Sequence, residues 1–198
     1  VTFIRLSGCN LRCPYCDTKE TWDVLYGENV QPNEILKMVR YQGNTYVCFT
    51  GGEPLYNQEQ LLEVMAILHE NGFKISVETN GTVDITPYFR YVESFVIDYK
   101  MHLVSKNEKY PEKRILSNFN QLRETDAIKF LISTKEELVQ ANFLMRTIKK
   151  ANPLSNPIFA FSPLLPGMTA KDLAKLMQDF NVSNAVLSVQ LHKLIGLK

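Results

Sequence analysis

Apolar and polar positions along the chain change period repeatedly, and the changes outline alternating strands and helices. Residues 1–6 are β-branched and apolar and read as a strand; 45–49, 74–78, 94–99, 127–132, 157–161 and 185–189 read the same way. Between them lie helical patterns. Residues 32–40 open with Pro32, suited to a first helical turn. Residues 58–70 put Leu61, Leu62, Met65 and Leu68 at helical spacing and stop at Asn71-Gly72. Residues 86–91 predict a short helix, 112–123 another, and 169–180 a third. Thr134 and Glu137 form a capping box ahead of a helix running to about residue 150. Residues 101–110 are polar and read as a loop. Repeated β-α units imply an α/β fold with a mainly parallel sheet, either open and doubly wound or a partial, open (β/α) barrel. Both place ligands at the carboxyl ends of strands. No repeat, low-complexity stretch or linker divides the chain, so residues 1–198 are expected to form a single domain.

Length and charge narrow the choice. At 198 residues the chain is short for a complete eight-fold barrel, which needs about 250. Hydrophobic residues at 45% and charged ones at 22% are the balance of a globular domain, not of a disordered chain. Lys plus Arg number 22 against 21 Asp plus Glu, which argues against a broad nucleic-acid-binding face. No apolar run approaches the roughly 20 residues of a membrane span, and no leader pattern is visible. Four cysteines, three of them crowded between positions 9 and 16, do not form the spread of a disulfide-stapled secreted domain. The reading is cytoplasmic.

Those three cysteines carry the chemistry. Cys9-Asn-Leu-Arg-Cys13-Pro-Tyr-Cys16 follows the first strand directly. Three thiolates on one short loop can hold three corners of an iron–sulfur cubane and leave the fourth iron open, whereas a closed ferredoxin site supplies four. The alternative is structural zinc with Cys48 as fourth ligand. Cys48 lies in an apolar strand, where a free cysteine packs as a small hydrophobe. A second motif, Thr50-Gly51-Gly52-Glu53-Pro54, follows the next strand. Its glycines let backbone approach a ligand, and Glu53 can accept hydrogen bonds from an ammonium group. An open iron needs a chelating ligand, and S-adenosylmethionine offers an amino group and a carboxylate.

Taken together these residues resemble the radical S-adenosylmethionine superfamily. Residues 3–18 resemble, more narrowly, the 7-carboxy-7-deazaguanine synthase family, as do Val77-Glu-Thr-Asn-Gly-Thr82 and the ending Gln190-Leu-His-Lys-Leu-Ile-Gly-Leu-Lys198. The resemblance implies an abbreviated radical core of about six parallel strands. It implies conversion of 6-carboxy-5,6,7,8-tetrahydropterin to 7-carboxy-7-deazaguanine with loss of ammonia, on the route to queuosine, archaeosine and related deazapurines. The cofactors implied are a 4Fe–4S cluster, S-adenosylmethionine and Mg²⁺; the partners are a flavodoxin- or ferredoxin-type reductant and a second copy of the chain.

Carried over position by position, the resemblance makes Cys9, Cys13 and Cys16 the cluster ligands and Thr18 the Mg²⁺ ligand. Arg5, Thr50, His192 and the carboxylate of Lys198 would meet the substrate. Tyr15, Gly52, Glu53, Glu78, Asp98, Lys100 and Ser162 would meet S-adenosylmethionine. Glu78 is the candidate for an additional role toward substrate; no acid–base residue is otherwise assigned. The family's Ser-Pro-Lys segment stands here as Asp98-Tyr99-Lys100, a departure at its first two positions. The family's opening Gln-Gly-Glu-Gly loop has no counterpart before Val1, so a substrate-binding segment is expected to be missing from this sequence. A glycyl-radical activase shares the cysteine spacing and is the alternative enzyme reading; it needs no Thr18. A zinc-stabilised binding domain is the non-enzymatic one.

Overall fold

A computed structural model describes residues 1–56, 60–101, 110–153, 155–191 and 196. By its internal contacts the chain falls into two compact units, Val1–Ile97 and Asp98–Lys198.

The first unit is built on parallel strands β1 (Thr2–Leu6), β2 (Tyr46–Gly51), β3 (Lys74–Thr79) and the greater part of β4 (Val92–Tyr99). β1 pairs with β2 from Thr2↔Val47 to Leu6↔Gly51, β2 with β3, and β3 with β4, where a register shift lies between Ile75 and Ser76. Parallel register puts Val47 beside Ile75 and Phe49 beside Val77, and these side chains are at most 1% exposed. They form an apolar floor with Phe95 and Ile97, together with Val39 of helix α1 (Pro32–Tyr41) and Val64, Met65 and Leu68 of α2 (Leu61–Glu70), all buried. Each large side chain buried this way contributes about 1.5–3 kcal/mol. The alternate positions, Arg5, Cys48, Thr50, Ser76 and Glu78, give the sheet a second, polar face.

Local chemistry explains the boundaries. α1 begins at Pro32 behind a reciprocal pair of Gln31 and Glu34, a capping box that a Gln at the cap position hides from the sequence reading. The short helix expected at 86–91 is a 3₁₀ turn over Thr86–Tyr88, because β4 already begins at Val92. Two further 3₁₀ turns, Lys19–Trp22 and Val24–Tyr26, follow the cysteine loop.

The second unit holds β5 (Ala127–Ile132), β6 (Ile158–Pro163) and β7 (Val186–Leu187), again parallel, giving seven strands rather than about six among the described residues. Helices α3 (Glu112–Phe119), α4 (Lys135–Ala151) and α5 (Ala170–Asp179) accompany them. The core is aromatic: Tyr99 meets Phe130 edge-on at 6.0 Å, and Phe130 meets Phe161 at 5.2 Å. α3 ends four residues before the expected 123, because Arg123 turns back onto Asp126, giving its backbone N–H at 2.7 Å and its guanidinium at 3.0 and 3.1 Å. Thr134 caps α4 by accepting from the Glu137 N–H, but the Glu137 carboxylate reaches one residue further back, to the Ser133 N–H at 2.6 Å. No helix among the described residues is long and apolar enough to cross a membrane.

Candidate active site

In the first unit the chemistry gathers where β1, β2 and β3 end. The chain leaves β1 at Leu6 and enters the cysteine loop at Gly8. Gly8 N–H donates to Thr21 O at 2.8 Å and Cys9 N–H to Trp22 O at 3.3 Å, so the 3₁₀ turn after the loop closes it on itself. Cys16 N–H donates to Cys13 O at 3.0 Å. Arg12 gives its guanidinium to Cys9 O at 2.6 Å and lies 5.3 Å from the Trp22 ring. The loop is therefore shaped by its own backbone.

None of the three cysteines is in a disulfide; Cys9 and Cys16 are half-buried and Cys13 is buried. Burial, and then the negative charges of Glu53, Cys13 and Cys16, push the Cys9 thiol up, against a Leu11 N–H that favours the thiolate. Cys13, Cys16 and Glu53 thus lie within electrostatic range of Cys9. No three His, Cys, Asp or Glu side chains among the described residues converge as tightly as a single ion requires. Cys48 stands apart in β2, 5% exposed, its thiol raised by burial and facing Ser76. A tetrahedral zinc built from all four cysteines has no support in this arrangement, whereas three thiols on one loop fit an open cluster.

The glycines of the second motif also serve the protein's own packing. A Cβ on Gly51, at φ +139°, would lie 2.0 Å from Leu6 O, and one on Gly52 would lie 2.3 Å from Gly8 O and 2.6 Å from Thr21 O. They make room for the protein's own β1 end and cysteine loop. Gly52 N–H donates to Leu6 O at 2.9 Å and Glu53 N–H to Gly8 O at 2.8 Å. Glu53 is completely buried. Its carboxylate accepts from Leu55 N–H at 3.2 Å, Thr79 Oγ1–H at 2.6 Å and Asn80 N–H at 2.6 Å. These bonds give Glu53 a role in fixing the loop, beside the contact with the cofactor ammonium expected of it.

The remaining expected residues divide between the units. Arg5 and Thr50 are register partners on the polar face of the first unit's sheet, and Glu78 lies on the same face. Arg5 and Glu78 both act electrostatically on Cys48. Tyr15 is half-buried in the cysteine loop. The Thr18 hydroxyl lies 3.7 Å from Cys16 Sγ. In the second unit Asp98 is bridged by Lys100 at 2.9 Å and Lys129 at 3.3 Å. Burial alone would raise the Asp98 carboxyl, but the two ammonium groups prevail and hold it below the usual range. Ser162 is buried, and its Oγ has no hydrogen-bond partner among the described residues, the state of a hydroxyl awaiting one. His192 and Lys198 lie outside the described residues.

Lys129 was not singled out from the sequence, although a lone cation within Ala-Ile-Lys-Phe-Leu-Ile was a signal. Asn10, Thr79 and Asn80 carry no local signal: Asn80 meets Asn10 across 70 residues of chain, and Thr79 and Asn80 meet Glu53 across 26 and 27.

Residues 3–180 match the profile of the Radical SAM superfamily. The chain is 34% identical to a 7-carboxy-7-deazaguanine synthase of Clostridium acetobutylicum, over 98% of this chain and 86% of that protein. It is 33% identical to another from Methanospirillum hungatei, over 98% and 76% respectively. The chain belongs to the 7-carboxy-7-deazaguanine synthase family of radical S-adenosylmethionine enzymes. The crystal structure of QueE from Escherichia coli has the same fold, with a TM-score of 0.68 at 23% identity, covering 95% of this chain and 84% of that one. Family membership implies a 4Fe–4S cluster and S-adenosylmethionine, sets aside the zinc reading, and makes the parallel α/β sheet that of a radical enzyme.

Proposed function

We propose that this chain converts 6-carboxy-5,6,7,8-tetrahydropterin to 7-carboxy-7-deazaguanine with loss of ammonia, acting as one radical S-adenosylmethionine domain. The observation that carries this reading is the Thr18 hydroxyl beside Cys16 Sγ, at 3.7 Å. It offers an oxygen ligand for a hard cation directly next to the cluster ligands. A glycyl-radical activase has no use for such a ligand.

When bound, the cluster and S-adenosylmethionine supply a primary carbon radical that removes hydrogen from an unactivated C–H bond. The protein's residues bind and orient. Cys9, Cys13 and Cys16 hold the cluster, and the backbone at Gly52, with Tyr15 on the cysteine loop, receives the cofactor. Lys100 and Ser162 are further cofactor contacts, Asp98 holding Lys100 in place. Thr18 would hold Mg²⁺, which orients the substrate carboxylate. Arg5 suits a carboxylate with its planar guanidinium, and Thr50, His192 and the Lys198 carboxylate complete the pterin contacts. Glu78, on the face shared with Arg5 and Thr50, accepts hydrogen bonds from the cofactor ribose or the substrate. The electron comes from a flavodoxin- or ferredoxin-type carrier, and the working form is a cytoplasmic homodimer.

Anaerobic reconstitution with iron and sulfide tests the reading, followed by incubation with the carboxytetrahydropterin, reductant, S-adenosylmethionine and Mg²⁺. The expected product is 7-carboxy-7-deazaguanine, with turnover falling in Thr18→Ala at limiting Mg²⁺. Cleavage of S-adenosylmethionine without a deazaguanine product would overturn the substrate, and radical transfer to a partner protein would favour the activase.

A further inference from the structure

Asn10 lies between two cluster cysteines, and its amide is held by residues of the turn after β3. Asn80 Nδ2–H donates to Asn10 Oδ1 at 3.0 Å. Asn10 Nδ2–H donates to Thr82 Oγ1 at 2.7 Å. Thr82 Oγ1–H donates to Asn80 Oδ1 at 2.6 Å, which also accepts the Thr82 backbone N–H at 3.0 Å. The three side chains close a ring in which every hydrogen bond has one donor and one acceptor. The ring also sets the orientation of both amides, since turning either one over would oppose donor to donor or oxygen to oxygen.

The ring is anchored from below. Asn80 N–H donates to the buried Glu53 carboxylate at 2.6 Å, as does Thr79 Oγ1–H. Glu53 N–H in turn donates to Gly8 O at the root of the cysteine loop. The loop is thus held at two points, at Gly8 through Glu53 and between its first two cysteines through Asn10. Asn80 is 6% exposed, so its bonds are largely shielded from competing water; Asn10 is exposed.

We propose that Asn10, Asn80 and Thr82 form a clasp that holds the three-cysteine loop in its cluster-binding shape before the cluster arrives and slows its opening afterwards. These are positioning residues: they act through the loop and need touch neither cluster nor substrate. Preorganisation of this kind lowers the conformational entropy lost when three thiolates are brought to one cluster. The retention of iron rests on the radical-enzyme reading; the stiffness of the loop does not.

Two variants test the clasp in the full-length chain. Thr82→Val keeps side-chain shape and removes both hydroxyl bonds of the ring, and Thr82→Ser restores them. Asn10→Ala, at an exposed position, breaks the ring from the other side. Hydrogen exchange of a peptide spanning residues 8–16 is measured in the metal-free protein, and release of iron to a ferrous chelator in the reconstituted one. With each net bond worth about a fivefold change in an opening equilibrium, loss of two raises loop exchange and iron release about twenty-five-fold. Thr82→Ser should behave like wild type, and the electron paramagnetic resonance lines of the reduced cluster should broaden in Thr82→Val alone of these two. Unchanged exchange of residues 8–16 in both Thr82→Val and Asn10→Ala overturns the clasp. Altered exchange in a protein whose wild type takes up no 4Fe–4S cluster leaves the clasp standing and overturns the radical-enzyme reading instead.

Discussion

Replacing Gly52 by Ala probes how tightly the two site loops are fitted together. The added Cβ would stand 2.3 Å from Gly8 O, 2.8 Å from Gly8 C and 2.6 Å from Thr21 O, all backbone atoms that no rotamer can withdraw. Restoring ordinary contact requires the Gly-Gly-Glu-Pro loop and the cysteine loop to part by roughly 1 Å. That separation strains the Gly52 N–H bond to Leu6 O at 2.9 Å and the Glu53 N–H bond to Gly8 O at 2.8 Å. Overpacking costs about 1–3 kcal/mol and each weakened bond about 1 kcal/mol, so Gly52→Ala is expected to lose about 3–5 kcal/mol. For a chain of this size that lowers Tm by about 6–20 °C. The control is Gly43→Ala, where φ is +70° and nothing lies within 4 Å of an added Cβ. Only backbone strain operates there, about 1–2 kcal/mol. Differential scanning calorimetry of the three proteins provides the comparison, with the iron content of each after reconstitution. If Gly52→Ala melts no lower than Gly43→Ala and binds full iron, the loops are not packed against each other as described and the reasoning fails.

Other expectations follow from the same contacts. Glu53→Gln turns an amide NH₂ toward donors that now give to a carboxylate, and should cost about 2–4 kcal/mol in urea unfolding. Cys48→Ala should keep full iron and colour after anaerobic reconstitution, while Cys9→Ala, Cys13→Ala and Cys16→Ala should each lose the 4Fe–4S absorption. The depressed Asp98 carboxyl contributes stability that is present above the ordinary carboxylate range and is lost as pH falls below about 4 toward its folded value. Asp98→Asn should therefore flatten the acid limb of a stability-against-pH series, and at neutral pH be less stable than wild type because Lys100 and Lys129 lose their shared counter-ion.

The alternating strands and helices were legible because each unit packs an apolar sheet face against amphipathic helices, and that arrangement writes its period into the chain. The cysteine loop, the Gly-Gly-Glu-Pro motif and the family were legible because their residue types and spacing are local. Element ends were less so: Arg123 curls back to Asp126, and Gln31 caps α1, through side-chain bonds that a propensity does not contain. What only the tertiary structure decided is the direction in which the site's polar groups point. Glu53 reads as a ligand for an ammonium group, and only the fold shows that Thr79, Asn80 and Leu55 also donate to its buried carboxylate. Gly51 and Gly52 read as space for a ligand, and only the fold shows that on their Cβ side they also admit Leu6 O and Gly8 O. Asn10 reads as a spacer between two cysteines until a turn seventy residues away supplies its partners. Composition and spacing can name the atoms of such a site, but hydrogen bonds are directional and short-ranged, so their pairing is settled only when the folded backbone brings β1, β2 and β3 to a common end.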